Sequence, residues 1–73
     1  EEKVNVILVM VLCSSIQNSC MPPVTYPTIY KDSYSCMIDG YQKSLNQTIQ
    51  LGKDDVNKLG LYIKFGCQNA QGV

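Results

Sequence analysis

A single α/β domain is the fold class this sequence predicts: one βαβ unit of two parallel strands and a crossover helix, stapled by two disulfides. Three observations carry that expectation. An apolar, β-branched run lies near the start, a long helical periodicity fills the second half, and a strictly alternating stretch follows it. Four Cys in 73 residues supply the staples, because one core of this size contributes only about 3–5 kcal/mol.

The first element is the run Val4-Asn5-Val6-Ile7-Leu8-Val9-Met10-Val11-Leu12-Cys13, apolar everywhere except Asn5. Apolar on both faces and rich in Val and Ile, it reads as a buried strand over 4–13. Ten residues fall well short of the roughly twenty that a helix needs to cross a bilayer, so no stable membrane insertion is expected. Lys3, the run and the small residues after it also have the layout of a secretory leader. A lipidated Cys13 is disfavoured by Leu12, where a small residue belongs.

From 14 to 31 the chain turns polar and proline-rich, with Pro22, Pro23 and Pro27. Proline fixes φ and removes a donor, so an extended loop is expected. Tyr26, Tyr30 and Tyr34 make this loop the best candidate for a binding surface, since Tyr joins large contact area to a polar tip and a proline-restricted loop loses little entropy on binding.

Asp32 or Ser33 can cap a helix whose apolar groups recur at Met37/Ile38, Tyr41, Leu45, Thr48/Ile49, Val56 and Leu59. The pattern predicts a helix over about 33–59, either kinked at Gly52 or ending at Leu51 and followed by a short helix capped by Asp54. Gly60 closes it. Leu61, Ile63, Phe65 and Cys67 then alternate with Tyr62, Lys64 and Gly66, a half-buried strand over 61–67. The polar tail 68–73 carries little structure in this reading.

A crossover of this kind makes the two strands parallel, so both end at one edge of the sheet. With Cys13 on the helix side beside Ile7, Val9 and Val11, the favoured pairs are Cys13–Cys67 and Cys20–Cys36. One helix covers only one face of the first strand, which leaves Val4, Val6, Leu8, Met10 and Leu12 bare. Such a face predicts a homodimer, through antiparallel pairing of first strands or stacking of bare faces. The alternative is that the proline-rich loop folds back over it.

The missing residue types narrow the function. Without His there is no usual general base near neutral pH and no mixed Cys/His zinc site, and without Arg there is no bidentate grip on phosphate. Six Lys against six acids leave no field for a polyanion, so nucleic-acid binding is not expected. No C-x-x-C occurs, Asp54-Asp55 between Lys53 and Lys58 reads as a solvated helix turn, and the Asn46-Gln47-Thr48 sequon falls mid-helix. Neither a cofactor nor a catalytic residue is predicted.

The pattern Cys13-x₆-Cys20, Pro22-Pro23, Cys36-x₃-Gly40-Tyr41, Val56-Asn57-Lys58 and Tyr62-Ile63-Lys64-Phe65-x-Cys67 resembles small uncharacterised four-Cys proteins of marine bacteria and their phages. The resemblance spans nearly the whole chain and implies a compact domain of marine or viral source, with no chemistry attached. The expected function is therefore non-enzymatic: an interaction or accessory protein of an envelope or virion, periplasmic or secreted, with an unidentified protein partner. A thiol or redox enzyme and a Cys₄ zinc protein are the alternatives.

Overall fold

The computed structural model of the chain describes residues 5–69. The apolar run forms β1 (Val6–Ser14), which is the central strand of an antiparallel sheet. After the turn at 15–18 come β2 (Ser19–Cys20) and β3 (Val24–Tyr30), then α1 (Ser33–Leu51), α2 (Lys53–Leu59) and β4 (Leu61–Asn69). β4 pairs with β1 over its full length, from Val6↔Asn69 to Ser14↔Leu61. A strand has only two hydrogen-bonding edges, so β2 and β3 share the other one, β2 opposite Cys13 and Ser14 and β3 opposite residues 6–10.

The expected parallel βαβ unit is therefore incorrect: β1 and β4 run antiparallel. The error lies in the proline-rich stretch. Residues 24–30 pair as a strand antiparallel to β1, so the turn at 15–18 reverses the chain once before the helices and the crossover leaves from β3 rather than from β1. Pro27 fits there for a local reason. β3 is an edge strand, and residues 26–28 stand opposite the single residue Leu8 in a bulge, where proline's missing N–H breaks no ladder bond.

α1 lies on one side of the sheet, against Val6, Leu8 and Met10. The core is small: Val6, Leu8, Met10 and Cys36 are buried, with Tyr26, Tyr30, Ile63, Phe65 and Cys67 packed against them. This reverses the expected side of β1. Val6, Leu8 and Met10 face the helix rather than solvent, Leu12 is half-buried, and Val4 lies outside the described residues. The open side carries Ile7, Val9 and Val11, each half-buried. Antiparallel pairing of β1 across a two-fold is ruled out, because β4 and β2/β3 occupy both its edges.

The disulfides are Cys13–Cys20 and Cys36–Cys67, with Cα separations of 4.0 and 6.1 Å, not the expected Cys13–Cys67 and Cys20–Cys36. Register explains both. Cys13 and Cys20 are direct cross-strand neighbours, whereas Cys67 stands opposite Leu8, on the helix side and five residues from Cys13 along β1. At about 3.3 Å per residue that gap is roughly 16 Å, far beyond the reach of a disulfide.

Local chemistry sets the element ends. Asp32 caps α1 by accepting the Ser35 N–H at 2.8 Å, which also holds its carboxyl below the usual range. Gly52 separates the helices, and Gly60 ends α2 in the left-handed region with φ 63°. There the hairpin tip ties on: the Ser15 N–H donates to the Gly60 carbonyl at 2.9 Å, and the Ser14 hydroxyl donates to the Leu59 carbonyl at 2.6 Å. Among the described residues no helix is long and apolar enough to cross a membrane.

Candidate functional site

α1 presents two unlike faces. Toward the sheet it offers small residues spaced by four, Cys36, Gly40 and Ser44. Cys36 and Gly40 are buried. A Cβ on Gly40 would overlap the Phe65 ring, so the absence of a side chain is what lets α1 settle directly on β4. Cys36 then reaches Cys67 and locks the contact. The Ser44 hydroxyl is buried without a hydrogen-bond partner.

The outer face carries the large apolar residues. Tyr34, Ile38, Tyr41, Leu45 and Ile49 follow one another at steps of four, three, four and four, with Met37 on the flank. At about 100° per residue they form one continuous stripe, centred roughly 135° around the helix from the buried small residues. Tyr34 is 75% exposed, Tyr41 62%, Leu45 61% and Ile49 66%. The Tyr41 ring meets Phe65 edge-on at 4.9 Å between centroids, which fixes it at the boundary of the stripe.

No charged side chain lies in this stripe. α1 has only two, Asp39 and Lys43, and they are used on the flank toward β3. Lys43 Nζ sits 2.9 Å from Asp39 Oδ2 and 5.5 Å from the centre of the Tyr26 ring. The Tyr30 hydroxyl donates to the same carboxylate. The phenol's burial and its bond to Asp39 push Tyr30 up to about 12, while the bonds from Tyr30 and Lys43 hold Asp39 below the ordinary carboxylate range.

The tyrosines singled out in the sequence thus take different duties. Tyr26 and Tyr30 are half-buried on β3 and pin it to α1, whereas Tyr34 belongs to the exposed stripe. Ile38, Tyr41, Leu45 and Ile49 of the stripe are visible in the sequence as a helical periodicity, which does not by itself say whether that face is covered. The signal that separates the faces is side-chain size, since Cys36, Gly40 and Ser44 repeat at four-residue spacing on the opposite side.

Two other features are weaker. The open sheet face has Ile7, Val9 and Val11, flanked by exposed Ile29 and by Lys64 of β4. A cavity of about 220 Å³ under the proline-rich segment is lined by Leu12, Met21, Val24, Tyr26, Gln47 and Ile63 among others. It is smaller than a usual ligand pocket of roughly 300–1,000 Å³ and contains no charged group.

All four sulfurs are paired, which leaves neither a free thiol nor a Cys₄ set for zinc. Among the described residues no group of three or more His, Cys, Asp or Glu side chains converges. Compared with protein-family models, with curated proteins and with solved structures, the chain matches none of them.

Proposed function

We propose that this chain is a non-enzymatic interaction module that works in an oxidising compartment, at an envelope, in a virion or after secretion. The observation that carries the reading is the uncharged apolar stripe of α1, turned outward from the sheet. A solvated helix face is normally studded with charge, and a contiguous apolar patch on a small protein marks a contact surface. Two disulfides support the compartment, since such bonds persist where the surroundings oxidise.

The staples also support the role. A helix that points its large apolar residues away from the sheet gains little from burial, so a covalent tie to β4 does part of the holding. The chain accordingly offers a rigid surface at small cost in conformational entropy on binding. A photoreactive residue placed at Leu45 in the native source should crosslink to protein far more efficiently than the same residue at exposed Asn57 of α2. Equal yields at the two positions would sink the reading.

A further inference from the structure

We propose that a second copy of this chain covers the stripe, the two α1 helices packing antiparallel about a two-fold axis beside Tyr41. This inference rests on the interaction reading above and names the partner. Its first support is the period. Tyr34, Ile38, Tyr41, Leu45 and Ile49 succeed one another at steps of four, three, four and four, which keeps them on one face for about four helical turns, long enough for one helix to lie along another.

The second support is charge. A two-fold contact sets a surface against its own copy, so the face must complement itself: an uncharged stripe meets no like charge on the axis and buries no lone charge away from it. Asp39 and Lys43 are the only charges on α1, and both are drawn off to the β3 flank by each other and by Tyr30. A partner of opposite charge would find nothing in the stripe to match. A lipid surface would call for Lys or Arg along the flanks of the stripe, and α1 carries Lys43 alone.

The third support is area. Two exposed Tyr with Met37, Ile38, Leu45 and Ile49 offer on the order of 700 Å² of accessible surface, close to the roughly 800 Å² that each partner gives a standard interface. Antiparallel overlay uses it evenly. Tyr34 of one copy meets Ile49 of the other, Ile38 meets Leu45, and the two Tyr41 rings flank the axis with hydroxyls free to reach the rim. Antiparallel helices also set their dipoles head to tail.

Sedimentation velocity from ~1 to ~200 μM spans the range of a moderate self-association. The wild-type chain should sediment at twice its 8.1 kDa at the upper end, and its Tm should rise with concentration. Ile38→Lys and Leu45→Glu should each weaken self-association by at least ~30-fold, the loss expected at an interface hot spot, with circular dichroism unchanged. The double variant Ile38→Lys/Leu45→Glu should dimerise again, because the antiparallel overlay places each Lys against the partner's Glu.

A wild-type monomer with a concentration-independent Tm overturns the proposal, as does a dimer that survives both single variants or a double variant that stays monomeric. Should the wild type be monomeric while Leu45 still crosslinks to other polypeptides, self-pairing falls and the interaction reading stands. Loss of both results removes both.

Discussion

The two faces of α1 are built on opposite principles. The sheet side uses Cys36, Gly40 and Ser44, where shortness of side chain matters because the backbone must come close to Phe65 of β4. The solvent side carries Tyr34, Ile38, Tyr41, Leu45 and Ile49, the bulk of the helix's apolar area. Hydrophobicity alone points to the wrong face as the buried one. A helix can dock through small residues and a covalent bond, and keep its large residues for something else.

The comparison extends to what holds each region. β1 is secured by ladders on both edges and by burial of Val6, Leu8 and Met10, whereas α1 depends on the Cys36–Cys67 bridge. Replacing that pair with Ala is the largest expected perturbation. Loop closure over its 31-residue separation is worth about 4 kcal/mol in the chain-entropy account, against about 2 kcal/mol for Cys13–Cys20. Urea titrations of the two double Cys→Ala variants measure this. Equal losses, or a greater loss from the hairpin bridge, would mean that α1 is secured by packing instead.

The flank of α1 gives a smaller effect with a definite pH signature. Asp39 is held below its unfolded value, so its contribution is present above about pH 4 and is lost as pH falls through the folded value. Tyr30 is raised to about 12, so its contribution is complete below about pH 10 and is lost as pH rises through 12. Tyr30→Phe should abolish the alkaline decline in Tm and shrink the acid one. An unaltered profile in that variant would remove the Tyr30–Asp39 bond from the account.

The smallest effect sharpens the inner face. Ser44 carries a buried hydroxyl with no partner, and removing an unsatisfied polar group is neutral or favourable. Ser44→Ala should leave stability unchanged or raise it by up to about 1 kcal/mol, since Ala is also the better helix former. A loss of more than that in chemical denaturation would show that the hydroxyl is bonded in solution.

Much of the local structure was legible because it is written in short-range chemistry. Asp32 accepts an N–H at the start of α1, Gly52 and Gly60 interrupt the helical stretch, and the alternation of Leu61, Ile63, Phe65 and Cys67 follows from a two-residue period. Two disulfides and a mixed α/β chain were also legible. Long-range parity was not. β1 is apolar on both faces, so nothing in its own pattern tells whether Val6, Leu8 and Met10 or Ile7, Val9 and Val11 meet the helix. That choice of side, together with the parallel strand order, put Cys13 beside Cys67 and gave the wrong connectivity. β3 was missed because Pro27 argues against a strand, and only an edge strand with a bulge accommodates it.

The candidate surface followed the same logic. Its residues were visible as a helical stripe, but a period says only that residues share a face, not which side of the helix is covered. Side-chain size at Cys36, Gly40 and Ser44 carries the missing information, because close approach to Phe65 tolerates no Cβ at Gly40.

Thermal unfolding of Gly40→Val and Leu45→Glu, compared at a concentration where the chain is monomeric, tests the assignment of the two faces most directly. The account predicts that Gly40→Val, which forces bulk against Phe65 at a cost of about 2–3 kcal/mol, lowers Tm by roughly 10 °C or more, while Leu45→Glu shifts it by no more than about 3 °C. A collapse of Tm in Leu45→Glu with little change in Gly40→Val would place the apolar stripe in the core and contradict it.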